Sequence, residues 1–201
     1  MVGTVHTTTR VETQEGEQVA TLVVVPPSVK EAMAMIESDS PLVAAEGFSK
    51  LSHATFNNLR GVMFNMNPCL YTATALAKEA AGTVGAIQAI VNAMARNIEN
   101  GTVQEDGCHA LRNVSFHCEQ NLALVRDQGG IVAVLRAMEK HPENEALQAE
   151  GCWALLVFCS NQDANIEVAK PFLHVVERTF AAYPSNSEIK SKCMFLKVLL
   201  A

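Results

Sequence analysis

GGIVAVLRAMEKHPENEALQAEGCWALLVF, residues 129–158, decides the fold, because it reads as two packed helices and has a near copy upstream. Ile131, Val134, Leu135 and Met138 fall at i, i+3, i+4 and i+7, which makes one buried stripe along a helix. Beyond a polar loop, Gly151, Ala154, Leu155 and Phe158 set a similar stripe on a second, longer helix. A residue as small as Gly at the head of that stripe predicts two helix backbones in close approach.

Laying Gly85–Asp127 over Gly129–Pro171, an offset of 44, pairs Gly85 with Gly129, Met94 with Met138, Gln104 with Gln148, Gly107 with Gly151, Cys108 with Cys152 and Leu111 with Leu155. The stripes recur as well: Ile87, Ile90, Val91 and Met94, then Gly107, Ala110, Leu111 and Val114. This is an internal repeat. An offset of 42 finds a third copy in Leu173, Val176 and Phe180, followed by Cys193, Leu196 and Leu200, with Glu177 and Lys197 where the central copy has Leu. A divergent fourth copy starts with Val29, Ala32, Met33 and Ile36 and continues with Gly47, Leu51 and Ala54. Glu119–Asp127 and Asp163–Lys170 add a short helix before Gly129 and Pro171, residues expected where one helix stops and the next starts at a sharp angle. Units of this size cannot bury their apolar faces alone, so they are expected to stack on one another.

Residues 1–27, rich in Thr, Glu and Gln, read as a mobile leader in which Val19–Val25 could pair with Thr9–Thr13, closed by Pro26 and Pro27. The repeat domain spans 28–201, with units at about 28–58, 85–118, 119–161 and 162–201 and an insertion at about 59–84 broken by Pro68. The end CMFLKVLLA is apolar, which predicts a longer chain of repeats or docking through this end, self-association through the C-terminal helix included.

With 49% apolar residues in 201, the chain can bury a sizeable core. Aromatics at 5% beside abundant Ala, Leu, Val and Met point to an all-α fold over a sheet sandwich. A net charge of −6 without a basic stripe excludes a general phosphate-neutralising surface, so no nucleic acid is expected. The six cysteines lie mostly in apolar helical patterns without a CxxC pair and read as reduced core thiols, which places the chain in the cytoplasm, or else the nucleus. The longest apolar run near the N-terminus, Leu22–Pro27, is far short of the roughly 18 residues of a membrane span.

The chain lacks a Gly-rich phosphate loop, HExxH and GxSxG, and His117-Cys118 is not a ready nucleophilic dyad, since adjacent helical residues point about 100° apart. Cys108-His109, His117-Cys118, Cys152 and Cys159 are loose metal-site material, but Cys108 and Cys152 share one repeat position beside the core stripe and read as small apolar fillers. No catalytic residue, metal or cofactor is expected.

A helix entered through a Gly pair, an apolar run, a polar loop and an Ala-Leu-bearing long helix, as in NLALVRDQGGIVAVLRAM followed by ENEALQAEGCWALLVF, resembles the armadillo repeat family. The resemblance covers about 28–201 and is strongest over 85–160. It implies a right-handed α-α superhelix, a solenoid, of three clear repeats and one divergent N-terminal repeat. It also implies a non-enzymatic scaffold or adaptor that holds a protein or peptide segment in a groove lined by the third helices. Nuclear import adaptors in that family carry Trp and Asn four residues apart on successive third helices. The equivalent pairs here are Ser49/His53, His109/Asn113, Trp153/Val157 and Phe195/Leu199, so no repeat has both residues. Trp153 and Asn113 are the leading candidates for partner contact, with His109, His117 and Asn161 continuing the same face. Asn161 also has a local reading, as a residue that caps the end of its helix.

Overall fold

The computed structural model describes residues 24–55 and 68–201, the side chains of 68–73 excepted. These residues are helical throughout, with no strand among them: α1 Pro27–Ile36, α2 Pro41–Thr55, α3 Pro68–Thr83, α4 Ala86–Arg96, α5 Gly101–Ser115, α6 Glu119–Asp127, α7 Gly130–Lys140, α8 Glu145–Cys159, α9 Asp163–Ala169, α10 Leu173–Ala182 and α11 Ser187–Leu199, with a 3-10 turn at Lys170–Phe172. Most of the leader, including its expected hairpin, lies outside the described residues, as do residues 56–67.

Local chemistry starts and stops these helices at matching places. Asn100, Asn144 and Asn186 each cap the long helix that follows, their Oδ1 accepting from Val103 N at 3.2 Å, Leu147 N at 3.0 Å and Ile189 N at 3.0 Å. Gly85 and Gly129 enter α4 and α7 at φ +83° and +78°, a left-handed conformation that costs a residue with a Cβ about 1–2 kcal/mol. The sharp entry turn therefore falls on the two glycines that the repeat superimposes.

Neighbouring units pack like on like. α2, α5, α8 and α11 contact one another in succession; α1, α4, α7 and α10 form a second such row; α3, α6 and α9 form a third. α3 is thus the first helix of its unit, standing to α4 and α5 as α6 stands to α7 and α8. The part of the 59–84 insertion that is described belongs to the repeat. Its N-terminal residue is Pro68, the residue read as a break, since Pro lacks only an N–H that the first turn leaves unbonded anyway.

In the two central units the core follows the stripes, whereas in the last unit Leu173 and Phe180 are half-buried and Val175 and Thr179 lie inside. Ile87, Ile90, Met94, Leu111, Ile131, Val134, Leu135, Met138, Leu155 and Phe158 are at most 1% exposed. Val91 is only half-buried, and Ala93 takes its place inside. The close approach anticipated at the stripe glycines is present: a Cβ on Gly107 or Gly151 would stand 2.6 Å from Met94 Cγ or Met138 Sδ. On Gly47 it would stand 2.7 Å from the backbone N of Ile36.

Buried amides tie the two central units together internally. Gln104 Nε2 donates to Met94 O and Asn97 O at 2.9 and 2.8 Å, and Gln148 Nε2 donates to Met138 O and His141 O at 2.9 Å each. Asn121 Nδ2 joins Lys78 O to Val114 O, and Asn165 Nδ2 joins Leu122 O to Phe158 O, so each also links one unit to the next. A bond of this kind contributes about 1 kcal/mol net, and removing its donor leaves buried carbonyls unpaired at a larger cost. The C-terminal end is mixed in character. Met194, Phe195 and Val198 are 56%, 67% and 80% exposed, while Lys197, at a repeat position where Leu155 is fully buried, lies over the Phe180 ring and 3.9 Å from Glu177.

Candidate functional site

Trp153 projects from the middle of α8 and is 39% exposed. Two cations already lie against its indole: the Arg112 guanidinium carbon, from α5, stands 4.0 Å from the ring centroid, and Lys192 Nζ, from α11, stands 4.7 Å from it. α5 and α11 both pack on α8, which brings the two cations to the ring from the neighbouring units. Each is neutralised locally: Arg112 Nε donates to Glu150 Oε2 at 3.2 Å, and Lys192 Nζ pairs with Glu188 one turn away. A cation desolvated over an indole is held by about 1–2 kcal/mol, so a partner that stacks on this ring competes with contacts already made.

Beside Trp153, where α5 ends, α6 begins and α8 ends, lies a cavity of 590 Å³. Phe116, Leu122, Leu156 and Val157 give it an apolar floor, while His117, Ser160, Asn161 and Gln162 ring it with donors and acceptors. Cys118 and Lys192 also line it, and Glu119 supplies a carboxylate. Burial pushes the Cys118 thiol above its usual range, so it presents a protonated sulfur and not a thiolate. Among the described residues, no three His, Cys, Asp or Glu side chains gather into a metal site. No described helix is long and apolar enough to cross a membrane.

Of the five candidates, the structure brings Trp153, His117 and Asn161 together at this cavity and leaves Asn113 and His109 outside its lining. Asn113 is 1% exposed, and neither amide atom has a hydrogen-bond partner. The reading of Asn113 as a partner contact is therefore corrected: its side chain is buried on α5, a helix packed by both α2 and α8. His109 is half-buried, and desolvation lowers its pKa.

His117 and Asn161 have a second role. They sit just past the ends of α5 and α8 at φ +56° and +58°, the left-handed position that commonly closes a helix. Both lie off the helix, so they do not continue the helical face of His109 and Asn113; the chain turns there, and that turn carries them to the rim. Asn161 fits its capping reading in this respect, since Asn tolerates this conformation better than most residues.

Nothing in the spacing of a single helix marks Arg112 or Lys192, because each meets Trp153 across a boundary between units. Lys78 escapes notice for the same reason: its Nζ donates to Phe116 O at 2.6 Å, a cation at the carbonyl end of α5.

No family model matches the chain, and neither a curated protein nor a solved structure shows significant similarity to it.

Proposed function

We propose that the chain is an armadillo-type right-handed solenoid acting as a non-enzymatic protein-binding scaffold, in a reducing compartment such as the cytoplasm or nucleus. A partner segment lies along the groove lined by α5, α8 and α11 and places one side chain in the cavity beside Trp153. The observation that carries this reading is the cavity itself, at the joint between two stacked units, with an apolar floor and an amide rim. That combination suits an extended peptide or helix edge, since apolar anchoring supplies affinity while rim donors and acceptors fix the backbone.

The clamp on Trp153 refines the partner's chemistry. With Arg112 and Lys192 already against the ring, a basic partner side chain would have to compete with them for the indole. The apolar part of the lining, Phe116, Leu122, Leu156 and Val157, suits an uncharged apolar anchor. Selection from a displayed random-peptide library against the immobilised full chain tests this. Enriched peptides should share an apolar anchor and lose at least about ten-fold in affinity, roughly 1.4 kcal/mol, for Val157→Asp. Enrichment of basic peptides, or of binders indifferent to Val157→Asp, would sink the assignment.

A second reading, self-association or continuation of the stack through the last helix, is favoured by the exposed Met194, Phe195 and Val198. Sedimentation of the full chain, before and after Val198→Glu, decides it by whether a concentration-dependent oligomer exists and disappears.

A further inference from the structure

Cys152 on α8 and Cys193 on α11 bring their Sγ atoms to 3.5 Å, and both residues are fully buried. Cys108, Cys118 and Cys159 are also free and buried, but among the described residues this is the one approach of two sulfurs within hydrogen-bond range. A disulfide needs about 2.05 Å between sulfurs, so closure requires a shift of about 1.5 Å shared by two side chains and two helices. We propose that Cys152 and Cys193 form a peroxide-oxidisable pair, which closes into an intramolecular disulfide stapling α8 to α11.

The chemistry balances with a hydroperoxide as the oxidant. The Cys193 sulfur attacks the outer peroxide oxygen; the O–O bond breaks, and the thiol proton leaves with the departing oxygen as an alcohol or water. The Cys152 sulfur then attacks the resulting sulfenic sulfur, the S–O bond breaks, and water departs with the second thiol hydrogen. Two thiols lose two electrons and two hydrogens, and the peroxide is reduced. The order of attack follows from the surroundings. Cys193 lies beside the Cys152 sulfur and near Lys197 and Lys192, which together favour its thiolate against the opposing effect of burial, whereas Cys152 is shifted the other way. Access for peroxide to the buried pair requires local opening of α11, a helix with Met194, Phe195 and Val198 exposed.

The staple stands apart from the groove reading, yet it has a built-in reporter. Cys152 precedes Trp153, and Cys193 follows Lys192, the cation over that indole. Drawing the sulfurs together moves Lys192 against the only tryptophan of the chain.

The full chain, treated with hydrogen peroxide, alkylated and digested without reductant, tests the proposal by mass spectrometry. The expected product is one peptide pair joined through Cys152 and Cys193, lighter by two hydrogens, accompanied by a shift in Trp153 emission. Dithiothreitol should reverse both changes, and neither should occur in Cys193→Ser. If that variant fails to fold, fragmentation of the wild-type cross-linked peptide still identifies its two sulfurs. Recovery of both cysteines as free thiols from folded, peroxide-treated protein, or a cross-link through a different pair, overturns the proposal.

Discussion

Arg112 lays its guanidinium over the Trp153 indole, 4.0 Å from carbon to ring centroid, while its Nε–H donates to Glu150 one turn earlier on the same helix as the indole. One side chain of α5 thus grips α8 twice, by charge and by stacking, with its own side chain only 6% exposed. Arg112→Ala removes both contacts and leaves Glu150 without its partner. The expected loss is about 1–3 kcal/mol in urea unfolding, with a shift in Trp153 emission. Arg112→Lys keeps the charge but not the flat fork, and should recover part of the stability and little of the emission.

The stripe glycines separate backbone from side-chain approach. At Gly151 an added Cβ meets the Met138 side chain, which can give way; at Gly47 it meets the backbone N of Ile36, which cannot. Gly151→Ala should therefore cost about 1–3 kcal/mol, the range for overpacking, and Gly47→Ala more. Thermal unfolding of the two variants side by side checks the order.

Left-handed backbone gives a different signature. Gly129 has open space around its missing Cβ, so Gly129→Ala is penalised by conformation alone, by about 1–2 kcal/mol. At Asn161 the sign reverses: Gly adopts φ +58° without strain, so Asn161→Gly should hold or raise the melting temperature while removing an amide from the cavity rim. That variant separates folding from partner binding.

Burial holds the Asp106 carboxyl above its usual range, so the folded chain favours the protonated form. Whatever stability this group contributes is fully present below its ordinary pKa of 3.8 and is lost as pH rises through its raised folded value. Asp106→Asn should accordingly stabilise the protein at pH 7 relative to wild type, and the difference should vanish at pH 3.5. Melting curves for both proteins at the two pH values provide the check.

The helices, their stripes and the stacking glycines were legible at Gly107 and Gly151 because a 3.6-residue period and a recurring Gly are local signals. The first helix of the second unit was less legible. α3 follows residues without a matching copy, and its tie to the repeat runs through Asn121 and the Lys78 carbonyl, a contact spanning two units. Site residues divide the same way. Trp153 stood out as a lone large ring, but its partners Arg112 and Lys192 lie 41 and 39 residues away, at distances set by stacking geometry. Asn113 misled for the converse reason: its spacing from His109 fits an open helical face, and only the packing of α2 and α8 around α5 buries it.

The cavity between Trp153 and Asn161 is proposed to hold an apolar side chain of a partner segment. Titrating the library-selected peptide against the full chain, with emission from the only tryptophan as the readout, tests it most directly. The expected result is a saturable shift that Val157→Asp abolishes and Asn161→Gly weakens, with the helix content of each variant checked by circular dichroism. Equal binding by wild type and Val157→Asp would contradict it.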